Sequence, residues 1–279
     1  MKKFFEIIGL ISLTIFSFFI TDKTVTVVNN MDNMMIEIKA NKNKLLSEPI
    51  DATINDNDII PGISGKKINI NKSYKNMKKK GYYSDELYIY DTIPPKVSIK
   101  ENMNKYIIKA NPNKKSISLI FKIKANDNID EIINIIENFN IKASFFIEEN
   151  WFNNNTKYIK KLIEKGNTVA PLFKDYTDSN FEWIDLVIKN SSKKNYGFCY
   201  SSEYNNQNID SCKIKNNYTI KPIEISDKSP LTDIKNQLEA GALFSVNISS
   251  QLKKELSTII IFIKSKGLSI TNLDESIIE

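Results

Sequence analysis

Residues 116–174 read SISLIFKIKANDNIDEIINIIENFNIKASFFIEENWFNNNTKYIKKLIEKGNTVAPLFK, and the order of patterns within them decides the fold. Ile117 to Ile123 is a short apolar run of the length of a buried strand. Ile129, Ile132, Ile133 and Ile136 then recur at helical spacing. A second apolar run, Ala143 to Ile147, is followed by the lysine-rich helical stretch from Thr156 to Lys165 and by Gly166, where a left-handed helix end is expected. Thr168 to Pro171 makes a third strand. Outward from this block the alternation continues, with strands expected at Tyr196–Cys199, Thr219–Ile225, Ala242–Val246 and Ser269–Thr271. Leu252, Leu256, Ile259, Ile260 and Ile263 mark one helix face, and Gly267 is a second expected left-handed cap. Strands separated by helices imply an α/β chain with a parallel, barrel-like sheet.

The motifs, in their order, resemble the polysaccharide deacetylases, carbohydrate esterase family 4. In that family a strand ending TFDDG is followed by a helix, a KATFF strand and a loop containing tryptophan. A helix and the motif G-H-E-I-G-N-H-x-x-x-H follow. Here Ile141 to Phe146 reads IKASFF, Trp151 stands in the loop position, and the segment from Gly166 to Tyr176 stands where the last motif is expected. The resemblance covers roughly residues 113–278. It implies a distorted (β/α)7 barrel whose groove lies at the carboxyl ends of the strands, with a metal-dependent deacetylase chemistry in the active members.

Carried over residue by residue, the resemblance puts Lys122 at the general base and Ile123 at the metal-binding aspartate. Leu172 and Tyr176 fall at the two metal-binding histidines. Asn247, in GALFSVNISS, falls at the general-acid histidine, and Cys199 at the arginine of a weaker third motif. A further family aspartate is expected near Lys221 to Ile225, where Glu224 is the one carboxylate and is left unassigned. The family uses a divalent metal such as zinc, which needs nitrogen, sulfur or oxygen ligands. Isoleucine and leucine have no donor atom and an amide does not titrate. The chain has no histidine at all, so the expectation is a pseudoenzyme without catalytic residues, metal or other cofactor.

Composition sets the remaining expectations. A hydrophobic fraction of 41% in 279 residues supports a sizeable core. All 39 basic residues are lysine, and the net charge of +6 is spread along the chain, so nucleic acid is not an expected partner. Lys2 and Lys3 precede an apolar run from Ile7 to Ile20, the pattern of a secretory signal, shorter than the roughly 20 residues of a spanning helix. Residues 1–21 are thus read as a signal peptide or short anchor, the membrane's only point of contact, with the remainder extracellular or at the cell surface. Residues 22–48 are read as a linker in which Met35 to Lys39 alternates like one strand. Residues 49–99 are read as a small N-terminal module, with Pro94-Pro95 marking a boundary, and residues 113–279 as the barrel domain.

Trp151, Tyr176, Tyr200 and Tyr204 are the candidate glycan contacts. Lys122 is expected to reach solvent or to pair with Asp127 or Asp175. Cys199 and Cys212 are compatible with a bridge in an oxidising compartment, but their placement on a strand and the following helix favours free thiols. The expected function is binding of cell-envelope polysaccharide or peptidoglycan without catalysis. An amide hydrolase acting on acetylated glycans through a rebuilt site, and a structural envelope protein without ligand, are the alternatives.

Overall fold

The computed structural model describes residues 9–18, 20 and 32–279. Lys2, Lys3, most of the expected linker's first half (residues 22–31) and part of the apolar run lie outside those residues. Among the described residues no helix is long and apolar enough to cross a membrane. The chain forms two compact units. The smaller takes residues up to Pro49 together with Ser64–Ile93, and the larger takes Ile50–Ile63 and Pro94–Glu279.

The front of the chain runs through helix α1 (Asn33–Asn41), strands β1 (Thr53–Asn55), β2 (Asp58–Ile60) and β3 (Gly65–Ile68), helix α2 (Ile70–Lys80) and strand β4 (Tyr90–Ile93). Of these, α1, β3, α2 and β4 build the smaller unit. The expected strand at Met35–Lys39 is corrected to a helix. Asp32 caps it, accepting from the Met34 N–H at 2.9 Å, and Met35 and Ile38, three apart, are buried on one face. Five residues of alternation satisfy both periods, and the cap decides between them. Antiparallel β3 and β4 add Ile68 to a core that contains Met35, Ile38, Tyr74, Met77 and Tyr88.

The larger unit continues with β5 (Tyr106–Ile107), β6 (Ser116–Ile123), α3 (Asp130–Asn138), β7 (Ser144–Ile147), α4 (Glu149–Asn154), α5 (Thr156–Glu164), β8 (Thr168–Pro171), α6 (Ser179–Ser192) and β9 (Gly197–Tyr200). Then come α7 (Asn206–Ile214), β10 (Asn217–Ile220), β11 (Ile223–Glu224), α8 (Pro230–Gln237), β12 (Leu243–Asn247), α9 (Ser250–Ser265), β13 (Ser269–Ile270) and α10 (Leu273–Ile277). Gly166 and Gly267 take φ of 81° and 75°, the left-handed caps that the sequence implies.

Parallel ladders join β11, β12, β6, β7 and β8 in that order, while β9 pairs β10 in a second sheet with β5, β2 and β1. The strands β6 to β12 make a seven-stranded parallel ring, interrupted at β8/β9 and β10/β11, where no ladder forms. It is a distorted (β/α)7 barrel. The single strand expected over Thr219–Ile225 is split in two. Pro222 has no N–H to give to a ladder, and the halves on either side of it join different sheets.

Strand alternation sorts the side chains of β6. Ile117, Leu119, Phe121 and Ile123 pack outward with Ile132 and Ile136 of α3 and Leu256, Ile259 and Ile263 of α9. Ile120 points inward, into a cluster with Phe146, Ala170, Phe198, Tyr200 and Leu243. Lys122 shares the inward parity.

Candidate functional site

At the carboxyl end of β6, Lys122 is the register partner of Asn247 on β12 and of Phe146 on β7. Its side chain is only 14% exposed, and its Nζ lies 2.5 Å from Glu224 Oε2. Neither Asp127 nor Asp175, the partners expected from the sequence, takes this cation. Asp127 accepts from the Lys124 N–H, and Asp175 accepts from the N–H and hydroxyl of Thr177. The Lys122 ammonium also sits 5.4 Å from the centroid of the Tyr200 ring.

Tyr200 in turn donates its hydroxyl to Glu224 and lies 2.7 Å from Ser245 Oγ. Burial, reinforced by the Glu224 carboxylate, holds this phenol well above the ordinary tyrosine range. Lys122, Glu224, Tyr200 and Ser245 therefore form one connected cluster across β6, β11, β9 and β12, placed across the barrel mouth. Its members satisfy each other.

Tyr176, which the family alignment puts at a metal-binding histidine, does something else. Its hydroxyl donates to the Pro171 carbonyl at 3.1 Å and accepts from the Tyr200 N–H at 2.8 Å. Pro171 ends β8 and Tyr200 ends β9, the two strands that share no ladder. One side-chain oxygen thus clasps the seam of the ring. Its ring packs edge to face on Phe181 at 5.1 Å, and burial raises its hydroxyl well above the ordinary range, so the proton stays on oxygen.

The other aligned positions are equally unsuited to a metal. Ile123 is wholly buried and faces the helix layer, and Leu172 packs against the inward cluster. Cys199 is bonded to Cys212, with Cα atoms 6.3 Å apart. This corrects the free-thiol expectation: α7 presents Cys212 on its buried face directly over β9. Asn247 donates its amide to Asp227 at 3.1 Å, while its Oδ1 is buried without a partner. An ammonium and an engaged, protonated phenol repel or ignore a divalent cation, so the residues at the mouth do not fit the family's metal. Among the described residues no three His, Cys, Asp or Glu side chains converge as a metal site.

Of the four candidate glycan contacts, three turn inward. Trp151 is buried and donates its indole N–H to the Asp127 carbonyl at 2.8 Å. Tyr176 and Tyr200 are buried as described. Tyr204 is 51% exposed, with its hydroxyl on Asp58 at 2.9 Å. Reading the sequence did not find Ser245 or Asp227 and left Glu224 unassigned. The signal that Glu224 carried was its place as the sole carboxylate in a short stretch where a carboxylate was expected.

The seven-stranded parallel ring, with polar groups at the carboxyl ends of its strands, is a fold shared with solved structures of carbohydrate esterase family 4. Residues 109–171 match the family model of polysaccharide deacetylases. The uncharacterized protein YlxY of Bacillus subtilis is 30% identical over 149 residues, 53% of this chain and 47% of YlxY, so the chain spans about half the length of this curated relative. Among solved structures, the wild-type pseudoenzyme BA3943 of carbohydrate esterase family 4 from Bacillus anthracis superposes with a TM-score of 0.64 at 20% identity, over 89% of this chain and 96% of its own. A mutant of BA3943 with restored enzymatic activity matches at the same score, identity and share of this chain, over 99% of its own. PdaA of Bacillus subtilis, a family 4 carbohydrate esterase, gives a TM-score of 0.53 at 13% identity, over 82% of this chain and 97% of its own. At such identities the likeness is one of fold.

Proposed function

We propose that this chain is an exported polysaccharide deacetylase-like protein that associates with N-acetylated cell-envelope glycan and does not hydrolyse it. The observation that carries the reading is the Lys122–Glu224–Tyr200–Ser245 cluster. It places a paired cation where metal-dependent deacetylation needs metal ligands and a base. A deacetylase must polarise an acetamide carbonyl and generate a nucleophilic water; Ile123 and Leu172 have no polar side-chain atom for either, and the Asn247 amide is engaged by Asp227. The fold shared with BA3943, itself a pseudoenzyme, supports the same reading. Export rests on Lys2, Lys3 and the apolar run after them.

The structure also favours a second reading, a structural envelope component with no ligand, because Trp151, Tyr176 and Tyr200 face protein rather than an open cleft. Co-sedimentation of the purified protein with insoluble peptidoglycan, together with acetate release from N-acetylglucosamine oligomers in added zinc or cobalt, separates the readings. Retention without acetate supports the first proposal. Neither retention nor acetate supports the structural one.

A further inference from the structure

At the barrel mouth Lys122, Glu224, Tyr200 and Ser245 engage one another and three of the four candidate aromatic contacts are buried, so an exposed aromatic elsewhere is the better place for a glycan. The chain has two tryptophans. Trp151 is buried, whereas Trp183, on α6, is 53% exposed. Its ring meets the buried Phe152 edge to face at 5.9 Å, which fixes the indole's orientation while leaving it open to solvent. Between α5 and α6 lies a cavity of about 330 Å³ with Phe152, Ile159 and Val187 in its apolar walls and Lys160 and Glu164 at its edge. Phe152, which the Trp183 ring touches, and Val187, one helical turn beyond Trp183, both line this cavity.

A pyranose ring has an apolar face of C–H groups and a belt of hydroxyls at its edge. An indole beside an apolar cleft answers the first, and exposed donors and acceptors at the cleft's edge answer the second. Lys160 and Glu164 are 3.8 Å apart, so their charges offset and the edge favours an uncharged ligand over an anionic polymer. We infer that the face between α5 and α6, anchored on Trp183, binds a neutral pyranose glycan. The inference rests on the glycan-binding reading above and relocates the contact from the barrel mouth to the helix layer.

The test titrates the full chain with N-acetylglucosamine oligomers and follows tryptophan emission, alongside the variants Trp183→Ala, Trp183→Phe and Tyr204→Ala. The expected result is a shift in the wild-type emission that Trp183→Phe abolishes, since the remaining Trp151 is buried. Trp183→Ala weakens binding by about tenfold, the loss of one central aromatic anchor, and Tyr204→Ala leaves it unchanged. Addition of 0.5 M salt has little effect on a neutral ligand. Binding undiminished in Trp183→Ala overturns this inference and leaves the glycan-binding reading standing. No binding by the wild type overturns both. Self-association of the wild type that Trp183→Ala abolishes, with no glycan bound, assigns the face to a second copy and overturns the inference.

Discussion

Replacing Tyr176 with phenylalanine removes one oxygen atom and tests whether that atom holds the ring together at β8/β9. The phenylalanine ring retains the packing on Phe173 and Phe181, so the cost comes from the lost hydroxyl. Two backbone groups lose their partner: the Tyr200 N–H loses its acceptor at 2.8 Å and the Pro171 carbonyl loses its donor at 3.1 Å. A buried donor left unmade costs about 1–3 kcal/mol, and the second bond adds about 0.5–1.5 kcal/mol. Tyr176→Phe is expected to cost about 2–4 kcal/mol in all. At about 2–4 °C per kcal/mol for a domain of this size, the thermal midpoint falls by about 5–15 °C. Urea unfolding under non-reducing conditions measures this, with an unchanged slope showing that the exposed surface is the same. Amide exchange of Tyr200 gives a local readout, since its protection should fall more than that of neighbours within the β9–β10 ladder. A change under about 0.5 kcal/mol with the Tyr200 amide still protected would refute the clasp; packing across the seam would then be sufficient by itself.

The Cys199–Cys212 bridge closes a loop of 13 residues in sequence separation, so reduction is expected to cost about 3 kcal/mol; two free thiols in the denatured, unreduced chain would contradict the pairing. Burial raises the hydroxyls of Tyr106, Tyr176, Tyr200 and Tyr218 above their ordinary value. A group whose folded pKa is raised contributes stability that is fully present below its unfolded value, about pH 10 for tyrosine, and is lost as pH rises toward the folded value. Ultraviolet titration of the twelve tyrosines should therefore include a phase delayed beyond the ordinary tyrosine range that coincides with unfolding; the absence of any delayed phase would contradict that burial.

The barrel was legible because its signals are local. Ile129, Ile132, Ile133 and Ile136 announce a helix face by spacing alone, and Gly166 announces the end of another by its position. What escaped the sequence lies across the ring. Lys122 and Glu224 are 102 residues apart, and nothing near Lys122 indicates that its partner sits on β11 rather than at Asp127, five residues on. The clasp made by Tyr176 is invisible for the same reason, since it depends on where β8 and β9 fail to pair. Pro222 is a readable signal for the break between β10 and β11, because it has no N–H to give to a ladder. The sequence alone suggests ring faces near a mouth for Trp151, Tyr176, Tyr200 and Tyr204; burial, which composition does not report, turns three of the four inward.

A paired lysine and a structural tyrosine stand at the barrel mouth, and the proposal that follows from them is that this chain does not deacetylate glycan. Acetate release by the purified chain from N-acetylglucosamine oligomers and peptidoglycan, with zinc or cobalt added and an active family 4 esterase in parallel, tests it most directly. The account predicts no acetate above the buffer control with either metal. Metal-dependent release that follows enzyme concentration would contradict it, and would mean that the residues around Lys122, Tyr176 and Asn247 assemble a working centre after all.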